Sequence, residues 1–352
     1  MIVLAAGGTG GHMFPAEAVA HALAAKGRAL TLITDTRGAA YTKAWPEHRA
    51  VILPIRNPGG GAKAALPFAM SALRSIPPAL RALRGAEAVL CFGGYPTLPA
   101  GLLAALLGVP LLVHEQNALM GRTNRLLARY ADAAALSFID TVKVPKQAAR
   151  VFTGNPVRPG IMLAAQSPYP PAESGTLEIL VLGGSQGAKI LADYVPAAIA
   201  ALSDNLRSRV RVVQQARADD VAGVTAAYAS AGIPAEVNSF FDDMPARYTA
   251  AQLVIARSGA STCAELTTIG RPALFIPFAA AAEDHQTRNA EALARQGAAW
   301  ILSEVEVRGG ALSEKLAALL SDPKGLHHAA AAAAGLIGYQ PVQKVLAALN
   351  LS

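Results

Sequence analysis

The side chain best suited to move a proton near neutral pH lies in a run of glycines. His12 sits in Gly7-Gly8-Thr9-Gly10-Gly11-His12-Met13-Phe14-Pro15, and imidazole changes charge within the physiological range. Ile2 to Ala5 reads as a buried parallel strand leading into the run, and Pro15 suits the first turn of the helix that follows. Glu17 to Ala25 then carries Val19, Ala20 and Leu23 at helical spacing, Gly27 ends the helix, and Leu30–Thr34 makes a second strand. A glycine turn entering a helix N-terminus collects backbone N–H groups and the positive end of the helix dipole, so Thr9, Gly10 and Gly11 are candidates to hold an anion. Beside them His12 either serves as a general base or caps the helix.

A nicotinamide dinucleotide is one anion to weigh. Asp35 ends the second strand, where dinucleotide-binding proteins keep their ribose acid. The G-x-G-x-x-G fingerprint fails, because after Gly8 and Gly10 its third glycine position holds Met13.

Similar turns recur along the chain. Ala88–Phe92 reads as a strand entering Gly93-Gly94-Tyr95-Pro96-Thr97, and Leu111–Val113 as another entering His114-Glu115-Gln116-Asn117. Ligands of open α/β sheets gather at the carboxyl ends of strands, so these turns are expected along one crevice with the first. His114 and Glu115 rival His12 as bases. A strand near Ala133–Leu136 precedes Thr153-Gly154-Asn155-Pro156-Val157-Arg158, the exit from a first domain, and residues 164–176 read as a linker. The pattern restarts with strand Leu177–Leu182, turn Gly183-Gly184-Ser185-Gln186-Gly187-Ala188 and a helix over 188–202. N–H groups and Ser185 of that turn suit a diphosphate, although neither G-x-G-x-x-G nor a P-loop is present. Strands follow at Val210–Gln214, Ala235–Asn238, Leu253–Ala256 and Ala273–Pro277. A turn at Arg257-Ser258-Gly259 opens a helix near Ser261 that carries Glu265, and Glu283-Asp284-His285-Gln286 opens another. Glu265 either favours the helix dipole or accepts two ribose hydroxyls.

Length and composition bound the class. At 352 residues the chain exceeds the ~250–300 at which single cores split, so two domains are expected. Cys91 and Cys263 are the only cysteines and have no metal-ligand spacing, which fits a reducing cytoplasmic setting. The N-terminus has no basic region and passes directly into an apolar run, so no signal peptide is expected. Pro96–Val113 is uncharged over 18 residues, but three prolines and two glycines split it into a helix at 100–107 and a strand at 109–113. The net charge of +7 divides into +9 over residues 1–157 and −2 over 158–352. A basic first half points to an anionic partner; with aromatics at only 5%, a membrane surface fits better than nucleic acid.

One segment suits that surface. Over Lys63–Arg84, Leu66, Ala69, Met70, Leu73, Ile76, Leu80 and Leu83 recur at three- and four-residue steps, rimmed by Lys63, Arg74, Arg81 and Arg84. Pro77-Pro78 is expected to break it into two short helices. The same stripe also fits packing on the protein's own core.

The reading is therefore α/β: two Rossmann-like parallel-sheet domains facing a central cleft, the GT-B layout. GGTGGHMFPA, HEQN, TGNPVR, LGGSQGA and ARSGA…E…PF…DHQTRNA, in that order over nearly the whole chain, resemble the MurG family of glycosyltransferases, which add N-acetylglucosamine to lipid I. Thr97 stands where the family usually has serine, and Ala279–Ala282 replaces a more polar loop of some members.

The resemblance implies an acceptor- and membrane-facing domain over 1–158, completed by a C-terminal helix within 338–352, and a UDP-sugar-binding domain over 159–337. It implies inverting transfer from UDP-N-acetylglucosamine to the C4 hydroxyl of the N-acetylmuramoyl group of lipid I, giving lipid II. By this resemblance the uracil lies near the Phe241 backbone and the ribose on Glu265. Ser185 and Arg158 hold the diphosphate, Ala260, Ser261, Thr262, Cys263 and Ala264 line the nucleotide site, and Gln286 and Asn117 meet the sugar. Thr9-Gly10-Gly11 meets the diphosphate of lipid I or else the donor, and Tyr95 and Lys143 are further candidate acceptor contacts. The implied location is peripheral, on the cytoplasmic face of the cell membrane, with cell-wall synthesis or division proteins as candidate partners.

The residue types support such chemistry independently. His12 can take the acceptor's proton, and a helix N-terminus with Arg158 can meet the charge of departing UDP. With no D-x-D pair or His/Asp cluster in a suitable loop, neither a metal nor a cofactor is expected. Three other readings remain. A UDP-N-acetylglucosamine epimerase has the same two-domain layout, against which segment 63–84 counts. A binding module has no need of His12, and a glycolipid synthase acting on diacylglycerol also has a membrane face.

Overall fold

The computed structural model describes residues 1–57, 59, 62–184, 187–336 and 340–351, with 62–64 and 282 by backbone alone. The chain forms two compact units, one of residues 1–158 with 338–352 and the other of residues 159–337.

The first unit holds seven parallel strands: β1 (Ile2–Ala5), β2 (Leu30–Thr34), β3 (Arg49–Ile52), β4 (Ala88–Cys91), β5 (Leu111–Glu115), β6 (Ala133–Leu136) and β7 (Arg150–Phe152). Their order across the sheet is β3-β2-β1-β4-β5-β6-β7. Every residue of β1 is buried, because helices cover both faces of the sheet. Strand alternation sends Ile2 and Leu4 into a core with Met13, Val19 and Leu23 of helix Gly10–Ala25. Val3 and Ala5 enter the opposite core with Ala79, Leu83, Ala100 and Ala104. Helix Pro341–Ala347 packs on helix Gly10–Ala25 and places Val345 and Leu346 in the first of these cores.

From β1 the sheet grows in both directions, towards β2 on one side and β4 on the other. Helices on either side of such a switch point leave a crevice at the carboxyl ends of the strands. The two glycine turns that follow β1 and β4 flank it.

The second unit repeats the plan with β8 (Leu177–Leu182), β9 (Val210–Gln215), β10 (Ala235–Asn238), β11 (Leu253–Ala256), β12 (Ala273–Phe275) and β13 (Ala299–Ile301). The order β10-β9-β8-β11-β12-β13 puts its switch point between β8 and β11. Arg271, 1% exposed, anchors this unit. Its guanidinium donates to the carbonyls of Tyr248 and Thr249, Ile269 and Gly270, and Pro168. Four of these carbonyls close the ends of helices Met244–Ala250 and Ala260–Ile269, where the last turn has no internal donors. Burial lowers the guanidinium's pKa to about 10, and the carbonyls take the place of a carboxylate partner.

Several expected boundaries move. Ala62–Leu83 is one continuous helix across Pro67, Pro77 and Pro78. The carbonyls left without donors by Pro77 and Pro78 belong to Leu73 and Arg74, both exposed, where water can replace the lost bonds. Its inner face is made of small residues, Ser71, Ser75, Ala79 and Ala82, whereas Leu66, Met70, Leu73 and Ile76 face solvent. β12 ends at Phe275, and β5 runs on to include His114 and Glu115. The edge strands β7 and β13 were not foreseen. Pro96–Val113 divides into helix Thr97–Leu107 and the start of β5. Among the described residues no helix is long and apolar enough to cross a membrane.

Candidate active site

His12 lies in the first turn of helix Gly10–Ala25, half-buried. Its Nδ1–H donates to the carbonyl of Gly7 at 2.9 Å, which leaves the basic lone pair on Nε2. This is the tautomer a general base requires, set by the backbone of the turn that bears it. The second glycine turn closes on the same ring. A Cβ on Gly93 would come within 3.0 Å of the imidazole, and one on Gly94 within 2.8 Å of the Gly7 oxygen. Both residues have positive φ, 98° and 84°, so only glycine fits the space and the backbone here. The Thr97 hydroxyl donates to the Gly94 carbonyl at 2.8 Å and fastens the turn, a task that the family's usual serine can also perform.

Asp35 links the two turns. Its Oδ1 accepts from the N–H groups of Gly8 (3.1 Å) and Gly38 (2.9 Å), and its Oδ2 from the Tyr95 hydroxyl (2.8 Å) and Arg37 Nε (3.2 Å). Burial opposes its charge, but these four donors outweigh it and hold the carboxyl below its ordinary range. With its oxygens so engaged Asp35 is a tie rather than a ribose acceptor, which removes the last support for a dinucleotide. The N–H groups of Gly10 and Gly11 lie in the helix's first turn, which has no internal acceptors for them and no acidic residue.

The rival bases have other work. His114 is fully buried; its Nε2–H donates to the Gly154 carbonyl at 3.2 Å and its Nδ1 accepts from Gln116 Nε2 at 2.9 Å. Burial pushes its pKa down to about 4, so it is a neutral strut between the turns after β5 and β7. Glu115 accepts from Asn117 N and Nδ2 (3.0 Å each), Gly121 N (3.0 Å) and Asn124 Nδ2 (2.8 Å). It therefore shapes the turn that presents half-buried Asn117. Asn124, absent from the sequence reading, also donates to the His114 carbonyl at 3.1 Å. Nothing local marks it, because its role exists only after β5 and helix Arg122–Leu127 have packed.

Arg158, expected at the diphosphate, ends the turn that follows β7. It belongs to the first unit, with its guanidinium 4.7 Å from the Phe14 ring centre and its charge felt by buried Glu17. That places it on the first turns of helix Gly10–Ala25.

In the second unit the glycine turn after β8 closes with Gly187 N–H on the Gly184 carbonyl at 2.9 Å. Ser185, between them, lies outside the described residues. At the neighbouring switch-point turn, buried Ser258 donates to the Gln286 carbonyl (2.8 Å), and Asn289 Nδ2 to the Ser258 carbonyl (3.0 Å). Gln286 Oε1 accepts from Phe278 N–H (3.0 Å), which turns its amide nitrogen to the other side. Ser261, Thr262 and Ala264 are half-buried on the first turns of helix Ala260–Ile269, while Ala260 and Cys263 point inward and offer backbone only. Burial raises the Cys263 thiol. Glu265, 7% exposed, accepts from the Tyr248 hydroxyl at 2.9 Å, so one carboxylate oxygen is anchored. The Phe241 side chain is buried under Arg247, which pairs with Glu236 and Asp243. Among the described residues no group of three or more His, Cys, Asp and Glu side chains is placed to hold a metal ion.

Two family models match. The glycosyltransferase family 28 N-terminal domain covers residues 2–136, and the family's C-terminal domain covers residues 178–344. A relative from Rhodospirillum centenum is 46% identical over 95% of this chain and 89% of its own length. Another, from Methylobacterium nodulans, is 45% identical over 99% of this chain and 95% of its own. Both are named UDP-N-acetylglucosamine--N-acetylmuramyl-(pentapeptide) pyrophosphoryl-undecaprenol N-acetylglucosamine transferase. The crystal structure of MurG from Acinetobacter baumannii has 30% identity and a TM-score of 0.81, covering 100% of this chain and 99% of that one. The calicheamicin glycosyltransferase CalG4 superimposes with a TM-score of 0.67 at 15% identity, over 99% of this chain and 98% of that one, a likeness of fold alone. The architecture is GT-B.

The buried His114 gives stability a defined pH window. As pH falls from about 6.5 the unfolded imidazole takes a proton, whereas the folded one resists until about 4. Stability is expected to drop by about 3 kcal/mol across that interval and no further from this residue below it. Urea unfolding between pH 7 and 4 measures it, and His114→Asn should lose that part of the slope.

Proposed function

The chain belongs to glycosyltransferase family 28, and from that premise we infer that it moves N-acetylglucosamine from UDP-N-acetylglucosamine to lipid I. The product is lipid II, a precursor in peptidoglycan synthesis. The names of relatives at about 45% identity over nearly the full chain support the substrates. For the chemistry, the observation that carries most weight is the His12 imidazole, turned by the Gly7 carbonyl so that Nε2 is basic.

The C4 hydroxyl of the N-acetylmuramoyl group gives its proton to His12 Nε2 as its oxygen attacks the anomeric carbon. The new C–O bond forms on the face opposite the departing UDP, and the pair of electrons in the broken bond leaves with the diphosphate. Configuration inverts. The acceptor's diphosphate lies against Thr9, Gly10 and Gly11, and Arg158 supplies positive charge to the diphosphate of the departing UDP. The second unit holds the donor: Glu265 takes the ribose hydroxyls, the Phe241 backbone the uracil, and Ser261, Thr262 and the adjoining backbone line the nucleotide. Gln286 and Asn117 meet the sugar. The chemistry of this donor set needs no metal, because the helix N-terminus after Gly259 offers N–H groups to the diphosphate.

The enzyme works peripherally at an anionic membrane, on the cytoplasmic face where the acceptor's diphosphate is carried. Support comes from Leu66, Met70, Leu73 and Ile76, all exposed on helix Ala62–Leu83 beside exposed Arg74, Arg81 and Arg84. That helix enters its crossover at the carboxyl edge of the sheet, the edge that bears the glycine turns.

Transfer of radiolabel from UDP-N-acetylglucosamine to a short-chain lipid I analogue in the presence of EDTA tests the reaction. Disaccharide product is expected; no product, with epimerised UDP-sugar in the no-acceptor control, would place the chain among isomerases. Co-sedimentation with vesicles containing phosphatidylglycerol tests the membrane face. Leu73→Glu should weaken binding about tenfold, the scale of one large side chain withdrawn from an apolar phase, and equal binding by both proteins would exclude this helix from contact.

A further inference from the structure

Arg37 is the half-exposed cation at the rim of the first glycine turn. Its side chain is 52% exposed, and Nη2 stands 2.9 Å from the position a Cβ would take on Gly8. The guanidinium is held along one edge: Nε donates to Asp35 Oδ2 at 3.2 Å and Nη2 to the Tyr95 hydroxyl at 2.7 Å, with the Tyr95 ring centre 5.3 Å away. Of its five N–H donors these bonds use two. Both N–H bonds of Nη1 are left without a partner among the described residues.

Asp35 does not depend on this cation. The N–H groups of Gly8 and Gly38 and the hydroxyl of Tyr95 already supply it with three donors. An ion pair whose cation is half-exposed also contributes little to stability. The geometry makes better sense in the other direction: a buried carboxylate and a tyrosine aim a planar fork across the turn. Loss of rotamer freedom is then met by the fold before any ligand arrives.

We propose that Arg37 is an acceptor-recognition residue, its outer edge donating to the diphosphate of the lipid acceptor as that group lies on the first glycine turn. This rests on the reading of the first unit as the acceptor side. A guanidinium fork matches adjacent phosphate oxygens, and a charged hydrogen bond to phosphate is about twice as strong as a neutral one. The contact separates diphosphate-linked acceptors from neutral sugar acceptors, which the backbone N–H groups alone do less well.

Steady-state kinetics of the full chain test the assignment, with the short-chain lipid I analogue varied at saturating UDP-N-acetylglucosamine and the reverse. Arg37→Gln is expected to raise the acceptor KM at least tenfold and leave the donor KM within twofold. Arg37→Lys, which keeps the charge but not the fork, should fall between, and it carries the test if the glutamine variant melts at a lower temperature. An acceptor KM within twofold of wild type in both variants would overturn the proposal. So would an equal rise in both KM values, which would put the guanidinium on the donor's diphosphate or make it a structural support. Absence of transfer by the wild-type chain is a different result, and would instead overturn the proposed function.

Discussion

Two stretches of backbone approach one imidazole more closely than any side chain would allow. Gly7 supplies the carbonyl that fixes the His12 tautomer, and Gly93 and Gly94 press against the ring and that carbonyl. β1 and β4 must be neighbours for their turns to meet, which is what a switch point in a parallel sheet provides. Asp35 then ties the turns through Gly8 and Tyr95, and Thr97 fastens the second one from behind.

The buried polar groups nearby hold the frame. His114, Glu115 and Asn124 lie under the third turn and are hydrogen-bonded to backbone, to the side chains of Gln116 and Asn117, and to one another. A buried donor or acceptor left unpaired costs on the order of 1–3 kcal/mol, so such a network specifies one loop geometry strongly. Arg271 does the same in the second unit, where a cation is stabilised by five carbonyls and brings two helix ends and the linker together. Around the first glycine turn, in contrast, Arg37 is half-exposed, and Arg158 is stacked on Phe14.

Much of this was legible in the residues. Apolar runs without polar alternation, each ending in glycines, marked β1, β4 and β8 and the turns that matter, because fully buried parallel strands leave no polar face to confuse the pattern. Short edge strands were not legible: β7 and β13 are three residues long, and β7 is largely exposed. Helix Ala62–Leu83 was misread at its prolines because the cost of a missing N–H depends on whether water reaches the orphaned carbonyl. Its stripe was legible, but which way it faced was not. Only the packed structure shows that Ser71, Ser75 and Ala79 take the inner side. The same limit applies at the site. His12 and Glu265 stood out by type and position, and Asn117 and Gln286 by the family resemblance, whereas burial and hydrogen bonding disqualify His114 and Glu115 as bases, and the Cys263 side chain turns inward. Asp35 looked like a ribose acid because its place in the chain is right. Its four donors come from Gly8, Arg37, Gly38 and Tyr95, and the last of these is 60 residues away.

We propose that His12, held in a glycine cradle, removes the acceptor's proton. Single-turnover transfer by His12→Ala, with donor binding checked by UDP titration, tests it most directly. The account predicts a fall of about 10²–10⁴ in the rate of the chemical step with donor affinity unchanged. A rate near wild type would contradict it and require another base at the switch point of the first sheet.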